Sequence, residues 1–262
     1  MSFPAFIARR VANHRVEGGR ASFSRLIIRI AVWAVALCIA TMIITMALLR
    51  GFKYEISSKI FGFVGHIHIT DINVGGGLAD GYPIDINQNF YPSLDTVRRV
   101  RHLAQTQFLG QAIGEPSSAY TSSGIRHIQT YAIKAGIIET KEVMEGIILK
   151  GVGADFDWDF MQQYLVRGDT IAWTPDKPSR EILLSQRTAE RLQVDTGQVF
   201  RINFVEQGEQ LRRNFKVAGI YKTGLEEYDQ RFALVDIRQI QRLLGWNENQ
   251  VGGFEVFVED VD

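Results

Sequence analysis

Ile30–Leu49 reads IAVWAVALCIATMIITMALL, twenty consecutive residues without a charge, a proline or a glycine. A bilayer's hydrocarbon core is about 30 Å thick, and roughly 20 helical residues span it. Backbone groups in lipid must be satisfied within the segment itself, so residues 30–49 are read as a transmembrane helix. The competing reading is a core helix of a large soluble fold, but core helices seldom run this long without a polar face.

The flanks give the direction. Arg9, Arg10, Arg15, Arg20, Arg25 and Arg29 precede the span against one acid, Glu17, whereas Arg50, Lys53 and Lys59 behind it are offset by Glu55. The positive-inside rule keeps residues 1–29 in the cytoplasm and sends everything after about residue 50 outward. A cleaved signal peptide has an apolar region of about 7–15 residues ending in a small-x-small site. This run is longer and ends Met46-Ala-Leu-Leu-Arg50. An uncleaved anchor is expected. Ala36 and Ala40, with Thr41 and Thr45, have the small-residue spacing that lets membrane helices pack closely.

Of 29 basic and 29 acidic residues, residues 1–29 hold six Arg and one Glu, which leaves 23 and 28 for the rest. An exported part with a net charge of −5 does not suit nucleic acid, whose binding rests on neutralised phosphates. The one cysteine, Cys38, lies mid-span, so the exported part has no disulfide and depends on an ordinary core.

Phe52, Ile56, Ile60 and Phe63 follow the span at intervals of four, four and three. They form one helical stripe, so an amphipathic stalk is expected over 50–63, ending near Gly62 or Gly65. A stalk continuous with a membrane helix can carry motion to an external domain. The plainer alternative is that the stripe only packs on that domain.

Beyond it, Val64–Thr70 alternates as a strand. Residues 71–92 carry Gly75-Gly-Gly77 and read as a loop or broken strands. Leu94, Val97, Val100 and Leu103 predict a helix capped by Ser93, and strands are expected near 108–121, 126–138 and 146–152. Residues 153–180 read as irregular. Ile182–Leu184 is a short buried strand, and Ser185 caps a helix through Leu192. Strands at 198–205 and 211–221 make a hairpin with Gly208 at the turn. Ala233–Val235 is a strand, Asp236 caps a helix to Leu244, and Gly245 ends it. A strand over 254–258 closes the chain. Helices and strands mix without βαβ alternation, so the fold class is α+β.

Chemistry-bearing motifs fail on inspection. Asp155-x-Asp157-x-Asp159 opens like a calcium loop, but Phe160 stands at the glycine position and Val166 at the closing glutamate. His66 and His68 share a strand face with no third ligand nearby in sequence. Gly151-Val-Gly153 lacks the third glycine of a dinucleotide loop, and neither GxxxxGK[ST] nor GxSxG occurs. No catalytic residue, cofactor site or metal site is assigned, and no enzyme activity is expected.

The order of several motifs resembles a known family. These are Phe6-Ile-Ala-Arg-Arg10, the span, Arg50-Gly-Phe-Lys-Tyr-Glu-Ile56, Leu149-Lys-Gly-Val152, Val166-Arg-Gly-Asp169 and Ile182-Leu-Leu-Ser185. Val217-Ala-Gly-Ile220, Lys222-Thr-Gly-Leu-Glu-Glu-Tyr-Asp229 and Phe232-Ala-Leu-Val-Asp236 continue it. Together they resemble lipoprotein-releasing (Lol-type) ABC transporter permeases, within the wider MacB- and FtsX-like class. The resemblance implies a MacB-type periplasmic domain over 64–262 with two mixed subdomains, the second roughly 153–250. It also implies residence in a bacterial inner membrane, a separate cytoplasmic ABC ATPase, a second permease copy or paralogue, and a lipoprotein substrate. Such permeases continue with three more membrane helices, so an N-terminal portion is expected, with a stand-alone anchored domain as the alternative. Some relatives dock a periplasmic lipoprotein chaperone on a long loop in the hairpin matching 198–221. The turn here spans only about Glu206–Gln210, shorter than such a loop. Arg212, Arg213 and Lys216 beside it are candidates for a partner contact, with a solvated strand face as the competing reading. A MacB-like efflux permease, an FtsX-like mechanotransmitting permease and a single-pass anchored interaction or sensor module are the alternative functions.

Overall fold

The run of straight-chain and branched apolar residues with no helix breaker produces one long helix, α1 (Arg20–Val64). The computed structural model describes residues 20–71, 82–108, 111–121, 124–139, 144–206 and 208–259. From Leu26 onward α1 is long and apolar enough to cross a membrane. The predicted N-terminal segment 1–29 lies largely outside the described residues. The chain divides into two units, Met1–Ser57 and Ser58–Asp262, so the last seven helical residues group with the domain that follows. Gly65 adopts φ +75°, a left-handed conformation that glycine reaches without a Cβ penalty, and its N–H returns to the Phe61 carbonyl at 2.8 Å.

The domain is α+β. Among the described residues its centre is a nine-stranded sheet. At one edge β1 (Ile67–Ile69) pairs antiparallel with β13 (Gly253–Val258), and β13 with the long β5 (Ile125–Glu139). β5 then pairs antiparallel with β6 (Met144–Val152), which runs parallel to β11 (Phe232–Asp236). β11 lies antiparallel to β8 (Glu181–Ser185), and β8 parallel to β10 (Glu209–Tyr221), with β7 (Leu165–Gly168) outermost. β9 (Val199–Glu206) forms the expected hairpin with β10 and also reaches β5. The boundary expected near residue 153 does not interrupt this sheet, because β11 sits directly beside β6.

The central strands are apolar on both faces, as strands covered on both sides must be. Ile182, Leu184, Ala233, Val235 and Ile220 point into one core, where α3 (Gln186–Leu192) and α5 (Ile237–Leu244) contribute Ala189, Leu192, Ile237, Ile240 and Leu243. Leu183, Leu234 and Tyr221, the alternate residues, point into a second core. Phe63 from the end of α1 and Met161 from α2 (Trp158–Gln162) enter that second core with Val152, Phe156 and Ile171.

Local signals placed several elements correctly. The Ser185 side chain caps α3 through the Thr188 N–H, Asp236 caps α5 through the Arg238 N–H, and Gly245 ends α5 at φ +67°. Others need correction. The helix predicted from Leu94, Val97, Val100 and Leu103 is a single 3-10 turn, Ser93–Thr96, preceded by Pro92 at the cap, with extended chain after it. Apolar residues spaced strictly by three drift about 60° per step around a helix, so the four never made one face. Leu103 belongs instead to β3 (Arg101–Phe108), an unforeseen strand paired with β4 (Gln111–Tyr120) in a separate hairpin. Val64 ends the helix rather than opening a strand, and β1 holds only three residues. Residues 153–180, read as irregular, contain α2 and β7. A short helix α4 (Glu226–Arg231) precedes β11. β2 (Ile84–Asp85) pairs with β12 (Gln250–Val251), while Gly75-Gly-Gly77 lies outside the described residues.

Candidate functional site

The residues that carry the stalk prediction grade from exposed to buried along one helix. Phe52 is 63% exposed, Ile56 and Ile60 are half-buried, and Phe63 is 2% exposed. Phe63 occupies an aromatic socket, edge-on to Tyr228 at 5.4 Å and Phe232 at 5.7 Å, with Tyr221 tilted at 6.2 Å. One residue earlier Gly62 admits the Phe160 ring, since a Cβ there would fall 2.1 Å from it. Lys59 lies over the Tyr164 ring at 5.9 Å.

The socket is held open by the segment Lys222-Thr-Gly-Leu-Glu-Glu-Tyr-Asp229. Buried Asp229 accepts from Thr223 Oγ1 at 2.7 Å and from the Gly224 N–H at 3.1 Å, folding the turn that starts α4 and presents Tyr228. Burial, then the Asp229 charge, pushes the Tyr221 hydroxyl far above its ordinary pKa, so it stays protonated and donates to the Phe232 carbonyl at 2.9 Å.

A charged network lies under the helix end. Lys150 on β6 and Glu255 on β13 are each 1% exposed, and Lys150 Nζ reaches Glu255 Oε1 at 2.7 Å and Oε2 at 2.9 Å. The same ammonium donates to the Phe63 carbonyl, one of the last four in α1, which have no partner within the helix. It also sits 5.2 Å from the Phe63 ring centre and 5.9 Å from that of Phe156. Glu255 Oε2 accepts from Gln129 Nε2 on β5 at 2.8 Å, and Gln129 Oε1 accepts from the Asp157 N–H at the start of α2 at 3.1 Å. Burial and the Glu255 charge raise the Tyr131 pKa to about 12.

Sequence reasoning placed Phe63 here and missed Lys150 and Glu255. The available signal was one lysine and one glutamate, each set between apolar neighbours in a strand, IILKGV and FEVFV. Their pairing spans 105 positions and needs the β13–β5–β6 order to be known.

The profile of the MacB-like periplasmic core domain matches residues 30–261. The chain belongs to this family. Among solved structures, the extracellular domain of the noncanonic ABC-type transporter YknZ from Gram-positive bacteria matches at 19% identity. That match covers 53% of this chain and 67% of that one, with a TM-score of 0.38. Nothing matches among curated proteins.

Within this MacB-like core domain the other predicted residues are dispersed. Arg212 and Lys216 are exposed on one face of β10, while half-buried Arg213 falls on the opposite face by the strand's alternation. Ala36, Ala40, Thr41 and Thr45 are exposed along α1, where Thr41 Oγ1 donates to the Cys38 carbonyl at 2.9 Å and Thr45 Oγ1 to the Thr41 carbonyl at 2.8 Å. The Asp155 and Asp157 carboxylates have structural work. Asp155 accepts from the Thr130 N–H at 2.5 Å and from the Tyr91 hydroxyl at 3.0 Å, and Asp157 caps α2. His66 stacks on Phe61 with ring centres 4.4 Å apart, and His68 Nδ1 lies 3.3 Å from the Tyr131 hydroxyl. No cluster of three metal-binding side chains occurs among the described residues.

Proposed function

We propose that this chain is the membrane-helix and core-domain portion of an ABC transporter permease of the MacB- and FtsX-like class. One observation carries the reading. The helix that begins in the membrane-length apolar segment continues to Val64, and its final turn is built into the core of the domain. A helix anchored this way suits the transfer of movement from a membrane to an external domain. ATP hydrolysis belongs to a separate cytoplasmic ATPase, with the N-terminus of this chain on the same side and the core domain across the inner membrane. The protein itself carries no catalysis.

The order of the sequence motifs supports release of lipoproteins from the inner membrane as the finer reading, with a second permease copy or paralogue completing the assembly. A periplasmic lipoprotein chaperone is a further partner under that reading, and exposed Arg212 and Lys216 are the candidates to meet it. Two experiments test these steps. Affinity purification of the full chain from detergent-solubilised membranes of its own cells should bring down an ABC ATPase; a chain recovered alone refutes the permease reading. Depletion should make lipoproteins accumulate in the inner membrane. Normal lipoprotein sorting alongside a defect in efflux or in an external enzyme would assign the chain to the MacB-like or FtsX-like branch.

A further inference from the structure

We propose that Lys150 and Glu255 form a fixed joint at the end of α1, so that the helix terminus and strands β5, β6 and β13 move as one body with no hinge between them. The purpose of the joint rests on the permease reading; its existence does not. A buried lysine in mid-strand is an unfavourable choice for packing alone, since an apolar residue of similar volume avoids the desolvation of an ammonium and its partner. Here the charge has a use that an apolar residue lacks. The C-terminal end of a helix is the negative pole of its dipole, and an ammonium on the free Phe63 carbonyl ends α1 with a charge-assisted hydrogen bond.

The contacts of this ammonium leave little freedom. Its three donors meet the Phe63 carbonyl and both Glu255 oxygens. Glu255 is held in turn by Gln129, whose carbonyl oxygen receives the N–H at the start of α2. The network thus ties α1, β6, β13, β5 and α2 through buried polar contacts. A hinge would need open space around the residues that change their φ and ψ. At Gly65 that space is absent, because a Cβ would lie 3.0 Å from the Glu255 Cβ, and the His66 N–H is bonded to the Val256 carbonyl at 2.9 Å. Lys150 and Glu255 are therefore positioning residues for the helix.

The test is amide hydrogen exchange on the full chain in detergent micelles. The double variant K150M/E255M replaces the pair with apolar side chains of similar volume. It should retain cooperative unfolding, while amides 62–66 exchange about tenfold faster or more, the factor expected for loss of a charge-assisted hydrogen bond. Amides of Leu183 and Leu234 in the central strands should keep their parental protection. K150M alone should be less stable than the double variant, because it leaves Glu255 buried without its cation. If the double variant fails to fold, E255Q, which is isosteric, decides with the same readout at 62–66. Parental exchange at 62–66 in the folded double variant, or in E255Q where the double does not fold, overturns the proposal, as does uniform acceleration across the sheet. No ATPase is needed for this measurement, so absence of an ATPase partner would remove the permease reading and leave the joint intact.

Discussion

Phe63→Ala is the most direct perturbation of the helix end. The ring is 2% exposed and makes three aromatic contacts with centres between 5.4 and 6.2 Å. Truncating a buried phenylalanine costs about 3–5 kcal/mol, of which each well-placed aromatic pair supplies roughly 0.5–1.5 kcal/mol beyond area burial. The socket is lined by rings fixed through Tyr221 and Asp229, so it collapses poorly and a loss of about 4 kcal/mol is expected. In a domain of this size 1 kcal/mol moves Tm by about 2–4 °C, so the transition should fall by roughly 10 °C. The assay is thermal unfolding of the full chain in micelles, followed by near-UV circular dichroism. Phe52→Ala, on the same stripe but 63% exposed, is the control and should stay within about 0.5 kcal/mol of the parent. A loss below about 1 kcal/mol for Phe63→Ala, or equal losses for the two variants, would refute the claim that Phe63 is built into the core of the domain.

Gly65→Ala should cost about 1–2 kcal/mol from the left-handed backbone alone, with more added by the Glu255 Cβ at 3.0 Å; the same unfolding assay reads it. Burial, and then the Arg126 charge, lowers the His66 pKa below its ordinary 6.5. The unfolded chain therefore binds the proton more readily, so the stability contributed by neutral His66 is present above pH 6.5 and is lost as pH falls toward the folded-state pKa. Unfolding at about pH 7.5 and about pH 5 should show a smaller acid loss for His66→Gln than for the parent, and an unchanged slope would sink the assignment. Asp236→Ala removes a fully buried carboxylate that caps α5, accepts from the Ser179 N–H at 2.8 Å and pairs with Arg238 at 2.6 Å. About 3 kcal/mol should be lost, as for other broken buried pairs. Proteinase K should then cut within 172–178, a loop whose carbonyls at Thr174 and Pro175 are held by Arg238.

What was legible in the sequence was local. A membrane-length apolar run, a four-four-three stripe and the caps at Ser185, Asp236 and Gly245 each draw on residues within a turn or two of one another. The failures share a cause of the opposite kind. α2 and α4 have five and six residues, too few to show a period. β3 and β4 pair with each other apart from the main sheet, and Leu103 in β3 also fits the three-residue spacing that reads as a helix. The candidate site was half visible. Phe63 belongs to a periodic pattern, but Lys150 and Glu255 acquire meaning only when β5 separates their two strands by one position in the sheet.

The pairing of β1 with β13 has a consequence for how such a domain can be transplanted. Ile67 lies opposite Val256, so the residues that lead in from the helix and those that close the domain are neighbours on one sheet edge. A segment whose two ends meet like this behaves as a cassette. It can be lifted from one host and spliced between two others with only a short gap to bridge, because domain insertion succeeds where the termini are close together. Exchange of whole cassettes between residues 58 and 258 of related chains, which keeps Phe63 with its core, should therefore preserve folding more readily than exchange of either half, since any cut inside divides strands that share one sheet.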